Sequence, residues 1–152
     1  MQIKVEFDDA KWLAALAKAP EEISKASSVA LKDIGVMVVK EAQNELGRHF
    51  KANTGRAQGS IRSRLAGSKA VDIFIKGVDY AVYLHEGTRK HWVEPVNKKA
   101  LHWGQYAFSK GHEVEGIKGH PFITIAGITC QAEANKRFNE ALEIAYKNAG
   151  LK

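Results

Sequence analysis

Cysteine is almost absent: Cys130 stands alone among 152 residues. That excludes an internal disulfide, a cysteine-cluster metal site and a CxxC redox pair. Cys130 lies among small apolar residues, which reads as a packed thiol rather than a nucleophile. Long apolar runs are missing too. Nowhere do about 18 apolar residues follow one another, so no transmembrane helix is expected. The opening MQIKVEFDDAKW is mixed and charged, without the apolar stretch of a signal peptide. The chain is therefore expected to start in the cytosol. Phosphate-cradling GxxxxGK[ST] and GxGxxG motifs are absent, as is the GxSxG elbow of serine hydrolases.

One long stretch without acidic residues is strongly basic. Residues 47–71 contain Arg48, Lys51, Arg56, Arg62, Arg64 and Lys69 and no Asp or Glu, a local net charge of +6 that equals the net charge of the whole chain. Residues 1–46 carry six Lys against eight acids, a net of −2. An acid-free block of this kind suggests an anionic partner, either nucleic acid or an acidic protein face; the bland reading is a solvated loop. Aromatic residues that could stack on bases are scarce inside the block, where only Phe50 occurs. Trp92, Trp103 and Tyr106 fall outside it and read as core or interface residues.

Length and apolar content suit a single domain, 1–152, with one modest core. QIKVEF at 2–7 alternates, with Ile3, Val5 and Phe7 on one side, and predicts a short half-buried strand. Asp8 or Asp9 can cap a short helix that Pro20 ends. From Glu21 to about Leu46 the residues Ile23, Ala26, Ala30, Ile34, Val38, Ala42 and Leu46 recur at helical spacing. Gly35 interrupts this helix at a cost of about 1 kcal/mol relative to Ala, which a close crossing against the sheet would explain. Gly47 is a plausible end of it. Residues 60–65 and 71–76 alternate around a small-residue turn and predict a β-hairpin. Arg62 and Arg64 share its outer face, and Ile61, Val71, Ile73 and Ile75 face inward. VEPVNKKALHW offers one or two further strands, with Pro95 at an edge. Residues 109–120 hold three glycines among many charges and read as a mobile loop. Pro121 opens a last helix with Phe122, Ile125, Ile128, Ala132, Phe138, Leu142 and Ala145 near one stripe. The expected class is α+β: a long N-terminal helix and a C-terminal helix packed on one face of a small antiparallel sheet.

The chemistry-bearing candidates are weak. His85–Glu86 and His112–Glu113 set histidine beside carboxylate, but the continuations HEGTR and HEVEG are not HExxH. Neighbouring side chains diverge, so such a pair ligates one metal poorly. No catalytic residue, metal site or cofactor is expected.

Four segments carry a resemblance. TGRAQGSIR at 54–62 resembles the TGxLxxSI signature of small tail-completion and head–tail joining proteins of tailed bacteriophages. YAVYLHEGTRK at 80–90 resembles that family's YAxYvEfGT segment. VEPVNKKALHW at 93–103 and GIKGHPFITIA at 116–126 resemble two segments of related phage morphogenesis proteins, the second leading into the last helix. The order and spacing of the four are more specific than any one of them. In this pattern Tyr80, Tyr83, Glu86, Gly87 and Thr88 form a structural corner: Tyr80, Leu84 and either Val82 or Tyr83 pack inward, Gly87 turns the backbone, and Thr88 bonds it. His85 stands where the family commonly has an apolar or aromatic residue, and Ala57 where it usually has Leu.

The resemblance implies a non-enzymatic virion protein of a phage or prophage, present in the host cytoplasm before assembly. It implies a ring of copies, often six, with tail-tube and head-connector proteins as partners, DNA only as content of the lumen, and no membrane. Arg56, Arg62 and Arg64 of the basic block, and Val114 and Ile117 of the glycine-rich loop, are the expected interface residues. The rival expectation is a basic nucleic-acid-binding accessory protein of a mobile element.

Overall fold

The computed structural model describes residues 9–51, 55–67, 69–96, 101–103 and 107–151, with the backbone alone for 9, 12, 101–103 and 107–109. The strand expected at 2–7, the side chain of Trp103 and Tyr106 lie outside the described residues.

Helix α1 runs from Asp9 to His49, 41 residues, and α4 from Phe122 to Ala149, 28 residues. Between them come α2 (Arg56–Ser60), β1 (Ile61–Leu65), β2 (Val71–Ile75), α3 (Tyr80–Glu86), β3 (His91–Val93), β4 (Leu101–Trp103), β5 (Ala107–Ser109) and β6 (His112–Val114). The architecture is mixed: the two long helices pack on each other, and α1 also packs on the β1–β2 hairpin.

α1 does not stop at Pro20. A proline there removes the bond to the Leu16 carbonyl, and an interior proline costs about 3 kcal/mol or more. The surrounding AALAKA and EEISKA are strong helix formers. Ala15 and Ala19 before the proline and Ala30 and Leu31 after it are buried, and Ala15 lies against Gly150 just past the end of α4, so packing holds both sides of the proline in one helix. Gly47 is likewise inside α1 rather than at its end. What it admits is the Gln58 side-chain amide, which sits where a Cβ would project. Gln43 and Gln58 each donate a side-chain amide to the other's backbone carbonyl, at 3.0 and 3.1 Å, which ties α2 to α1.

The core gathers Ile34, Val38, Ala42 and Leu46 of α1, Ile61 of β1, and Phe122, Ala126 and Cys130 of α4. The expected α1 stripe is therefore the buried one. That of α4 is shifted: Ile128 is 69% exposed, and the buried line runs through Phe122, Ala126 and Cys130 at four-residue spacing. Small residues at the second and third positions let α1 approach closely, and that advantage outweighs burying the larger Ile128.

β1 and β2 pair antiparallel with Ile61 opposite Ile75 and Leu65 opposite Val71, which sets Arg62 and Arg64 on the outer face as expected. Gly35 is the crossing point of α1 on this hairpin. A Cβ there would lie 2.7 Å from Val71 Cγ2 and 3.0 Å from Ser63 Cβ, which accounts for a glycine inside a long helix.

The strands do not form one sheet. Among the described residues they make three separate two-stranded antiparallel ladders, β1–β2, β3–β6 and β4–β5. The later strands are three residues long, and β3 ends just before Glu94–Pro95, where proline has no N–H to extend a ladder.

Candidate functional site

Helix α3 ends in a glycine-built corner. Gly87 takes φ 86°, a value that strains any residue with a Cβ, and its N–H closes on the Tyr83 carbonyl at 2.8 Å. The chain then meets residues 116–120 backbone to backbone. Thr88 N–H donates to the Ile117 carbonyl (2.9 Å), Ile117 N–H donates to Thr88 Oγ1 (3.0 Å), and His120 N–H donates to the Leu84 carbonyl (2.9 Å). Two further glycines make this contact. A Cβ on Gly119 would run into the Glu86 carbonyl group, and one on Gly116 into the Thr88 carbonyl oxygen.

The region expected as a mobile loop at 109–120 thus contains strand β6 and the three bonds of this crossing. Its glycines allow close backbone approach as well as raising chain entropy. Of the two anchors expected there, Val114 is half-buried on β6, opposite His91. Ile117 is 42% exposed. Lys90 spans Glu113 and Glu115 at 2.9 and 3.1 Å, and bonding to these carboxylates, Glu113 first, raises its pKa.

The corner's aromatic residues do not pack inward. Tyr80 and Tyr83 are 47% and 53% exposed, whereas Ala81 is fully buried and Leu84 half-buried. A helix of seven residues presents only one narrow face to the core, and Ala81 and Leu84 occupy it. The two tyrosines instead line an open groove of about 690 Å³ with Arg89, His91, Glu115 and Ile117. His85 lies edge-on to Phe122, ring centroids 5.0 Å apart, and its buried Nε2 has no hydrogen-bond partner among the described residues. This is the position of an apolar residue, filled by a histidine.

A second cluster fixes the end of the crossing to α1. His120 Nε2 is 2.9 Å from Glu45 Oε1, and its ring stacks on His49 at 3.9 Å. Arg48 also reaches Glu45, at 2.8 Å. The hydrogen bond with His120 and then that from Arg48 hold the Glu45 carboxyl below its usual range.

The expected interface arginines separate on inspection. Arg62 and Arg64 are exposed side by side on β1, and Arg56 is exposed on α2. Arg64 reaches Asp72 across the hairpin at 3.2 Å and lies over the Phe74 ring at 5.2 Å. Cys130 is buried, and burial, with the charge of Glu41 second, pushes its thiol up, away from the reactive thiolate. Among the described residues no three His, Cys, Asp or Glu side chains come together as a metal site would require, and no helix is long and apolar enough to cross a membrane.

The role of Gly116 and Gly119 is not readable from local sequence, because their partners are distant backbone atoms. The one available signal was the recurrence of glycine on both sides of the crossing. Comparison with protein-family models, with curated proteins and with solved structures finds no match.

Proposed function

We propose that this chain is a non-catalytic virion protein of a tailed phage or prophage, which completes the tail or joins it to the head as a ring between tail tube and capsid connector. The observation that supports the reading is spatial. The segments TGRAQGSIR, YAVYLHEGT and GIKGHPFITIA are far apart in the chain yet meet around the end of α1. Gln58 of the first bonds Gln43 of α1, His85 of the second faces Phe122 of the third, and Thr88 exchanges bonds with Ile117. Three of the segments that carry the resemblance thus also build one structural unit, and that is what supports the reading. Glu86, Gly87 and Thr88 act in this unit as backbone architecture.

Deleting the gene from an inducible prophage tests the proposal. Heads and tails that accumulate unjoined, and that purified protein joins into infectious particles, are the expected result. Normal infectious yield without the gene would overturn it. The rival reading, a nucleic-acid-binding accessory protein, rests on the exposed Arg62 and Arg64. It requires binding to duplex or single-stranded DNA that weakens steeply with salt. Metal-dependent cleavage of nucleic acid that is lost on His85→Ala or Glu86→Ala would make the chain an enzyme instead.

A further inference from the structure

The two edges of the β1–β2 hairpin are open to different degrees. In an antiparallel pair, alternate residues turn their N–H and C=O to the partner strand, and the rest turn them outward. Lys76 N–H donates to the Ser60 carbonyl and Ala66 N–H to the Ala70 carbonyl, so the even-numbered residues bond across the hairpin. Ile61, Ser63 and Leu65 therefore point their backbone groups out of the β1 edge, and Val71, Ile73 and Ile75 out of the β2 edge.

The β1 edge is partly closed. The Ile61 N–H bonds the Gln58 carbonyl at the end of α2, and the Arg62 guanidinium donates to the Ile61 carbonyl at 3.1 Å. The β2 edge is bare. Among the described residues β2 pairs with β1 alone, and Val71, Ile73 and Ile75 make no backbone bond on the outer side. Natural edges are blunted by lysine, proline or a bulge. VDIFI contains neither residue, and its register with β1 runs without a bulge. Its apolar side chains are also incompletely covered. Ile61 of β1 is fully buried, whereas all five residues of β2 are half-buried. Val71 at the Gly35 crossing, and Ile73 and Ile75 against the core, keep surface that α1 leaves open.

What fits this edge is the same edge of a second copy. Two antiparallel β2 strands centred on Ile73 set Ile73 opposite Ile73 and Val71 opposite Ile75. These are the residues whose backbone groups point outward, so each facing pair exchanges two bonds with no change inside the hairpin. On the inner face Val71, Ile73 and Ile75 meet their own copies, apolar to apolar. On the outer face Asp72 falls opposite Phe74 of the second copy, with Lys76 of the second copy on a diagonal. Asp72 keeps Arg64 of its own hairpin at 3.2 Å. Across the four strands the outer face reads Arg64, Asp72, Phe74, Arg62, and no like charges stand opposite each other. Two β1 edges meeting in the same way would set Arg62 against Arg64, which selects against that pairing.

We infer that two copies of this chain join edge to edge through β2 into one four-stranded antiparallel sheet, in the order β1, β2, β2, β1. The contact is isologous and closes at two copies. It neither builds nor requires the ring proposed above, and it is tested in solution, without particles.

Light scattering over a concentration series should show the wild type reaching twice the 16.8 kDa mass of the chain and stopping there. Ile73→Pro removes an N–H that bonds nothing within its own hairpin, a change that an edge strand tolerates. Circular dichroism and a cooperative melt check that this variant folds, and it should be monomeric. Disulfide trapping reads the register without depending on that variant. In a Cys130→Ser background, Asp72→Cys and Phe74→Cys chains mixed under mild oxidation should link to each other. Facing residues of this kind lie about 4.5 Å apart between Cα atoms, within reach of a disulfide. Arg62→Cys mixed with Arg64→Cys, the same pair on the β1 edge, should not link. A wild type that stays monomeric would mean that the edge takes a different strand or none, and would overturn the inference. So would a folded Ile73→Pro chain that dimerises as the wild type does, a failure of Asp72→Cys to link with Phe74→Cys, or equal linking at the β1 edge.

Discussion

Two glycine contacts in this molecule look alike in sequence and differ in kind. At Gly35 the space a Cβ would need is filled by side-chain atoms, Val71 Cγ2 and Ser63 Cβ. At Gly116 and Gly119 it is filled by the backbone of Glu86 to Arg89. Side chains change rotamer and a hairpin can shift slightly on a helix. A peptide carbonyl already committed to a corner has nowhere to go. The first glycine is a convenience of packing. The second pair is a condition for the crossing.

Substituting glycines across the structure turns this contrast into a graded series. Gly116→Ala should have the largest effect. The new methyl displaces the Thr88 carbonyl, so the three bonds of the crossing are lost together and destabilisation should exceed about 4 kcal/mol, measured by urea unfolding. A loss below about 1 kcal/mol would mean that residues 116–120 do not dock on the corner. Gly35→Ala should cost less. Overpacking costs about 1–3 kcal/mol, and the gain in helix propensity returns about 1 kcal/mol. A net loss of about 0–2 kcal/mol, with the hairpin shifted but intact by NMR, is the expected outcome. Gly127 has nothing within 4 Å of its missing Cβ and sits inside α4. Gly127→Ala should therefore stabilise the protein, by up to about 1 kcal/mol. Unchanged or lower stability would show that α4 needs its flexibility there.

The smallest effect concerns the tether of the crossing to α1. Bonds from His120 and Arg48 place the Glu45 carboxyl below its usual range in the folded chain. A depressed carboxyl stabilises the fold above its unfolded-state value, about 4.3, and that contribution disappears as pH falls through the folded value. Glu45→Gln should therefore be less stable than the wild type near neutrality, and the two should converge in melts below about pH 4. A difference that persists unchanged into acid would assign the effect of the variant to shape rather than charge.

The same contrast explains what could be read in advance. Side-chain periodicity announces the buried line of α1, the β1–β2 hairpin and the outward arginines, because each is a repeated choice between apolar and polar residues. Gly35 was legible as an anomaly: a helix of that length carries a glycine only for a reason. The corner was half legible. Gly87 marks a turn and Leu84 faces inward as the pattern implies, but α3 is too short for the rest of its face to be read: the pattern turns Tyr80, with Val82 or Tyr83, inward, and Ala81 takes that place. Pro20 reads as a stop, but that single local preference is outweighed by the helix formers and packing on either side. Gly116 and Gly119 read as looseness, since a contact between two stretches of backbone has no side chain to announce it.

The crossing has one more consequence, for how this chain tolerates change. Thr88 and Ile117 are bonded to each other at the neck of everything between them, so β3 to β6 form an excursion that leaves the body of the protein and returns to the same point. Its length is not set by the core. Doubling such a loop costs only about 0.6 kcal/mol in closure entropy. Residues between Arg89 and Glu115 are therefore the place to splice in an epitope, a fluorophore or a binding module, with both ends anchored and the helical body beneath left as it was.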